Sequence, residues 1–508
     1  MRESDKLRAY ASMKITSLTK AKIMQTTKSA HPLEVSISAQ RGFKLKPTQS
    51  FLDSSAAPFR LLASAFLLLP GLALAGSVQL FEHSAASIAS GGNNQAEAKD
   101  ASAIFWNAAN LTRLQDNSLS SALHFLEPTG KLSDTTSRTS SAFGGAPITG
   151  SGGGSAGVFT PAASLYYAKV LTPDTTVGLA MTAPFGNALT YEDGWVGRYF
   201  ALESELLTVD LGLSVGYKAT PTLSLGFGVD LQYAKATLGN AIDLSATCLG
   251  VASALMNAGL AGQCTANGFG TPGNAAADGR VAVKQDSWAP GWNAGLLWQP
   301  TADLRVGLAY RSKVNHELKG TASFVKPANL PATVNGLAAL TNGGTKTDLP
   351  LPANAALSVF YQVNDTWSVM GSATWTQWSV LKELRTRFDN GASDSVIPLE
   401  WKNTWRVGAG LGYKITPAIT FRTGLSYDQT PTTSAARQTL LIPDADRWVF
   451  GIGGSYAVSK TASVDFGFTR YFFKNLPIEN SAALSGVLST RYPSAGINAI
   501  SIQGNFRF

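Results

Sequence analysis

From about residue 119 to its last residue, the chain alternates apolar and polar positions with a period of two. At 208–217 (TVDLGLSVGY) Val209, Leu211, Leu213, Val215 and Tyr217 share one face, and Thr208, Asp210, Gly212, Ser214 and Gly216 share the other. Residues 223–233 repeat this with Asp230 and Gln232 on the polar side. Residues 304–311 set Leu304, Val306, Leu308 and Tyr310 against Arg305 and Arg311. The stretches 405–413 and 419–428 put Arg406, Arg422 and Asp428 on the polar face, and 464–469 continues the series. Alternating segments lie near 119–127, 163–170, 175–183, 206–218, 222–238, 286–299, 303–324, 354–364, 366–380, 402–415, 418–428, 446–458, 462–473 and 497–508, which predicts about fourteen strands. The short connections at 219–221, 300–302 and 416–417 suit tight turns at one rim. The insertions, 239–280 above all, suit long loops at the other. The loop at 128–162 holds a glycine-serine run at 151–157 to which no fixed structure is assigned.

A soluble sandwich also alternates, but its polar face is the solvated one. Here the polar face is mostly Gly, Ser and Thr with scattered ions, and the apolar face ends repeatedly in Tyr, Trp or Phe. Apolar-out, polar-in strands flanked by aromatics are the pattern of an outer-membrane barrel. Lipid offers no partner to a backbone N–H or C=O, so such a sheet must close. The fold class predicted is all-β, a transmembrane antiparallel β-barrel. No apolar run is long enough for a transmembrane helix. At the C-terminus Ile500, Ile502, Gly504, Phe506 and Phe508 alternate with Ser501, Gln503, Asn505 and Arg507.

Ahead of the strands, residues 76–116 are rich in Ala, Ser, Gly and Asn and follow neither period. A small, polar, irregular segment in front of a strand array reads as a plug inside the lumen. Residues 60–75 read as a secretory signal: Arg60, an apolar core at 61–69, a break at Pro70-Gly71, and Ala73-Leu74-Ala75 before an expected cleavage at Gly76. The expected plan is therefore an extension at 1–59 with no assigned role, a signal at 60–75, a plug at 76–116 and a barrel at 117–508. An upstream start codon would account for the extension.

The formal charge of +8 arises mostly in the leader, where residues 1–75 carry 11 basic and 4 acidic side chains. The remainder is nearly neutral, so a nucleic-acid partner loses its electrostatic basis. Cys248 and Cys264 share one Gly/Ala/Asn-rich insertion. Export permits a disulfide that staples this loop, and with no nearby His the pair does not make a zinc site. After the leader only His83, His124 and His316 remain, and there is no G-x-S-x-G elbow, so a hydrolase has no recognisable base or nucleophile. No metal cluster, P-loop or dinucleotide fingerprint is present, and no cofactor is expected.

Several stretches together resemble the FadL family of outer-membrane transporters for long-chain fatty acids and hydrocarbons. They are 291–298 (GWNAGLLW), 309–314 (AYRSKV), 375–379 (WTQWS), 421–428 (FRTGLSYD) and 442–447 (IPDADR). The resemblance implies a fourteen-stranded barrel with the N-terminal segment folded inside as a hatch. The family's Asn-Pro-Ala hatch signature is matched by Asn107-Ala108-Ala109, without the proline that would fix φ and remove a donor. Asp428 matches a polar wall position against which that signature lies. Asn107 and Asp428 are thus expected to share a gating contact. Fatty-acid members hold the carboxylate with basic residues. Here Asn240 stands at one such position, and no Lys occurs near Ile397, which favours an uncharged hydrophobic substrate. Family members release ligand sideways where one wall strand is kinked. Pro184 and Gly186, flanking Phe185, are the expected disruptors, with the start of a loop as the alternative. Trp195, Arg198, Tyr199 and Phe185 are the candidate ligand-binding residues, lining a mouth groove. The alternative for the first three is an aromatic belt with an exposed loop arginine.

The resemblance implies an outer-membrane channel in a Gram-negative cell that takes up hydrophobic molecules by ligand-gated passive diffusion and releases them laterally. An uptake channel specialised for aromatic hydrocarbons is the alternative. Expected partners are the hydrophobic substrate, outer-membrane lipid and lipopolysaccharide. The barrel-assembly machinery joins them, reading the C-terminal strand that ends at Phe508.

Overall fold

The computed structural model describes residues 79–97 and 99–508. The expected extension, signal and cleavage position lie outside the described residues. Fourteen strands form the wall. They are β1 (Ser118–Thr129), β2 (Thr160–Thr172), β3 (Thr175–Thr182, continuing as Gly186–Thr190), β4 (Glu203–Thr220), β5 (Leu223–Ile242), β6 (Gly279–Trp298) and β7 (Leu304–Arg311 with Val314–Val325). Then come β8 (Gly343–Leu351 with Asn354–Gln362), β9 (Trp367–Thr376 with Glu383–Phe388), β10 (Thr404–Lys414), β11 (Ile419–Asp428), β12 (Arg447–Ala457), β13 (Ala462–Phe473) and β14 (Gly496–Arg507). Each pairs antiparallel with its neighbours. β1 pairs with β14 from Ser118↔Arg507 to Thr129↔Gly496, which closes the sheet and leaves no edge.

Alternation assigns the two faces. Outward Leu211, Leu213, Val215 and Tyr217 of β4 are exposed, and inward Thr208, Asp210 and Ser214 are buried. Outward rings gather at two levels. Tyr233–Trp288 and Tyr427–Trp448 stand toward the long loops, with Trp367–Tyr413 toward the short turns. Two aromatic girdles around an apolar band are the mark of a lipid-facing barrel. Among the described residues no helix is long and apolar enough to cross a membrane.

The structure departs from the sequence reading chiefly at the long-loop rim. The stretch read as one strand at 303–324 is broken at Ser312-Lys313. The one read at 366–380 stops at Thr376, makes a tight turn at Trp378–Val380 and resumes at Glu383. The insertion 239–280 is partly strand, and between β5 and β6 it folds into two helices, at Leu244–Ala254 and Ala258–Ala266, joined by the Cys248–Cys264 disulfide. The 128–162 loop has a definite fold. Ser133–Arg138 forms a second sheet with Leu476–Ala482 and Gly486–Tyr492. The glycine run is pinned by bridges at Ser151↔Trp195 and Gly157↔Leu189. Close approach accounts for Gly157 within it and for Gly150 just before it: a Cβ on Gly157 would fall 2.5 Å from the Pro128 Cβ, and one on Gly150, at φ +152°, 2.1 Å from the Gly194 carbonyl oxygen.

Candidate functional site: the N-terminal segment and the break in β3

Residues 79–114 cross the lumen. A short helix, α1 (Ala85–Ala89), starts where the Ser84 hydroxyl accepts from the Ser87 amide, and it packs on β11 to β14. A second, α2 (Ala103–Trp106), leads into a 3-10 turn at Ala108–Arg113 that packs on β3 to β6 on the far side. The wall makes room by omitting side chains. A Cβ on Gly226 would lie 2.1 Å from the Ala109 nitrogen. On Gly424 it would lie 1.9 Å from the Ser90 oxygen, and on Gly467 2.4 Å from the Ala85 oxygen. The thin, glycine-rich inner face seen in the sequence is therefore a bed for another backbone.

Wall arginines reach the same segment. Arg406 donates to the Gly91 carbonyl at 2.6 Å, Arg305 to Ala96 at 3.1 Å and Arg311 to Phe105 at 3.2 Å. Arg422 grips the Glu97 carboxylate through two nitrogens, at 3.1 and 2.8 Å. Paired, planar donors on a carboxylate are among the stronger buried contacts. Sequence reasoning saw these arginines on the polar face but gave them no task. Their inward register was the available signal.

Asn107 caps the 3-10 turn by accepting from the Ala109 amide at 2.9 Å. It also donates to the carbonyls of Leu296 in β6 and Leu308 in β7, at 3.0 and 3.4 Å. Ala108 and Ala109 are buried beside it. Asp428 does not meet Asn107. It stands in direct register with Arg447 across β11 and β12 and forms an ion pair with it, and Asp444 engages the same guanidinium from the loop. The expected shared contact is thereby replaced by two separate ones, because Asn107 lies against β6 and β7 while Asp428 projects from β11.

β3 is interrupted at 183–185, and the interruption has a frame. β2 and β3 pair up to Leu165↔Met181, and pairing resumes at the bridge Gly157↔Leu189. Between them, residues 158–164 and 182–188 face each other without ladder bonds. The pairing with β4 slips by one residue across the same point, from Thr182↔Asp210 to Gly186↔Leu207. Pro184 removes a donor there. The N-terminal segment occupies the break from inside: the Leu80 amide donates to the Pro184 carbonyl at 2.9 Å, and Gln79 bridges to Phe185. The lining is mixed: Leu80, Leu126, Ala162, Ala183, Ile497 and Ala499 form one apolar cluster, and Thr160, Ser164, Thr182 and Asn187 are buried in the frame beside it. Phe185 connects it to a second cluster in the upper lumen that includes Leu206, Leu318, Leu351, Trp378 and Trp401.

The other proposed ligand residues are placed differently. Trp195 and Arg198 are essentially unexposed, and Tyr199 is buried. Trp195 stacks on Tyr191 and donates to the Ala201 carbonyl, forming the centre of the loop cap. Arg198 bonds Asp278 at 2.6 Å, the Gly273 carbonyl at 2.7 Å and the Tyr199 hydroxyl at 2.9 Å. Burial pushes the Tyr199 hydroxyl up from its ordinary pKa, so it stays protonated and donates to Asp278. This trio ties loops together, and none of its polar atoms is turned toward a groove. Among the described residues Asn240 donates only to the neighbouring Ala241 carbonyl.

A closed fourteen-stranded barrel with two aromatic girdles and an internal segment defines an outer-membrane transport protein. Residues 66–508 match the family described as outer membrane protein transport protein (OMPP1/FadL/TodX), and the chain belongs to that family. Outer membrane protein P1 of Haemophilus influenzae is 30% identical over 80% of this chain and 88% of its own. A long-chain fatty acid transport protein of Escherichia coli is 29% identical over 80% and 89%. Among solved structures, a Pseudomonas aeruginosa FadL homologue superposes with a TM-score of 0.74 at 25% identity, covering 85% of this chain and all of the other. The toluene transporter TodX of P. putida shares the fold, with a TM-score of 0.61 at 20% identity over 84% of this chain and 98% of its own.

Proposed function

We propose that this outer-membrane channel admits uncharged hydrophobic molecules from the long-loop side and releases them into the bilayer through the break in β3, with the N-terminal segment as the gate. Relatives named for long-chain fatty acid transport make a hydrophobic cargo the natural class. The observation that carries the route is the unpaired frame between Leu165/Met181 and Gly157/Leu189, spanned from inside by Leu80 and its apolar cluster. A greasy ligand in the Trp378–Trp401 cluster needs only the withdrawal of residues 79–80 to reach lipid, and it never crosses an aqueous path.

Charge argues for a neutral cargo. The polar cavity beside Trp378 and Trp401 is lined by Asp428, Asp444 and Arg447, two carboxylates against one guanidinium. An incoming carboxylate would meet a cation that is already matched. The relative named for fatty acids keeps the acid reading as the alternative outcome. The test compares uptake of a long-chain fatty acid with that of toluene and an alkane in a host lacking its own transporter. Hydrocarbon uptake is expected to exceed fatty-acid uptake several-fold, and the reverse order overturns the neutral-cargo assignment. Ala183→Trp, which fills the frame, is expected to abolish uptake of either class while the barrel remains heat-modifiable on gels. Undiminished uptake by that variant sinks the lateral route. Recognition of the strand ending at Phe508 by the barrel-assembly machinery belongs to the same proposal.

A further inference from the structure

The transport route makes no use of a band of charge on the outer face of the wall. At one level of the sheet, Lys235, Asp286, Lys319, Lys346 and Arg387 stand in direct cross-strand register from β5 to β9. Their chain neighbours Gln285, Thr345, Thr347 and Thr386 are buried, so alternation turns the row outward. Lys319 is 62% and Arg387 48% exposed. Tyr233 and Trp288 occupy the next outward position on β5 and β6, on the side away from the long loops. Such rings mark the boundary between hydrocarbon and headgroups. At roughly 3.3 Å per residue the row stands about 7 Å beyond them, in the headgroup layer of the outer leaflet.

Like charges directly opposed across strands are unfavourable, yet Lys319, Lys346 and Arg387 are consecutive in the row. Lys319 has Glu317 at 2.7 Å and Arg387 has Asp348 at 2.7 Å. Among the described residues Lys346, held between two cations, has no carboxylate within ion-pair distance. An anion at Lys346 would relieve all three. The three cations span two inter-strand spacings, roughly 10 Å, which suits a headgroup carrying more than one phosphate. Directly below the three cations come Glu317, Asp348 and Arg385, whereas on the adjoining β5 and β6 the surface turns aromatic at Tyr233 and Trp288, and that side suits acyl chains.

We propose that Lys319, Lys346 and Arg387 form a binding site for the phosphorylated disaccharide of lipopolysaccharide, with its acyl chains lying down the wall past Trp288. The site rests on the outer-leaflet position of this rim and is independent of the cargo. Free phosphate lacks the acyl contacts, and a glycerophospholipid brings a single phosphate.

The test titrates purified full-length protein in zwitterionic micelles with bis-phosphorylated lipid A and reads bound stoichiometry by native mass spectrometry. The triple variant Lys319→Gln, Lys346→Gln, Arg387→Gln is expected to bind at least tenfold more weakly than wild type, and Lys346→Gln alone several-fold more weakly. Lys218→Gln with Lys414→Gln, exposed cations at the opposite rim, should bind like wild type. Dephosphorylated lipid A should bind wild type as weakly as intact lipid A binds the triple variant. Unchanged binding by the triple variant overturns the site. Equal competition by inorganic phosphate or phosphatidylglycerol overturns the assigned occupant. Heat-modifiability reports closure of each variant. If the triple variant does not close, unchanged binding by Lys346→Gln overturns the proposal in its place.

Discussion

An asparagine that binds two wall carbonyls and one amide of its own turn gives up all three contacts when truncated. Asn107→Ala should loosen the turn at 108–113 by about 1–3 kcal/mol, in line with the cost of unsatisfied buried groups. That is small beside closure of a fourteen-stranded sheet, so insertion should be normal and uptake altered. Asp428→Ala leaves Arg447 with Asp444 as its one remaining carboxylate partner among the described residues and should alter uptake separately. Since the two residues share no partner, their effects on uptake should multiply, with a coupling below about 0.5 kcal/mol. A double variant no worse than the more severe single would mean that they act through one element after all. Asn107 was legible only through the family resemblance, as the first residue of the stretch that matches the Asn-Pro-Ala hatch signature. Its partners were not: they are main-chain carbonyls of Leu296 and Leu308, and a backbone acceptor leaves no trace in residue type.

At the scale of elements, wall strands were legible because lipid on one side and a buried segment on the other impose a strict period of two. Breaks were legible only where a proline marks them. Pro184 does so in β3, whereas Ser312-Lys313 interrupts β7 with residues that suit a strand or a turn equally. The helices at Leu244–Ala254 and Ala258–Ala266 were hidden in a Gly/Ala-rich insertion that carries no clear apolar stripe. They pack on each other around Cys248 and Cys264, which close a loop of 16 residues. Cys248→Ser should cost this subdomain about 3 kcal/mol and expose it to limited proteolysis between residues 243 and 278, with the barrel intact. Equal protease resistance in the variant would show that the helix contacts alone suffice. Gly226→Ala probes the opposite rule. Its methyl group would collide with the Ala109 nitrogen, so the 3-10 turn should be expelled from the wall and become cleavable while the β5 ladder stays formed.

For the whole molecule, the closed barrel followed from the sequence pattern. The lateral opening was expected at Pro184 and Gly186 only through the family resemblance, since alternation alone does not show which residues fail to pair. The same bare inner face has an electrical meaning. Gly226, Gly424 and Gly467 are small because a backbone lies on them. Taking that backbone away would leave an open lumen with little bulk, lined by the arginines that had held it. A chain lacking residues 79–114 should therefore behave as an ohmic pore in planar bilayers, with conductance well above that of the intact protein. Cells producing it should become sensitive to antibiotics normally kept out by their size. In this view the N-terminal segment guards the osmotic and chemical isolation of the cell at all times, whether or not any cargo is at hand.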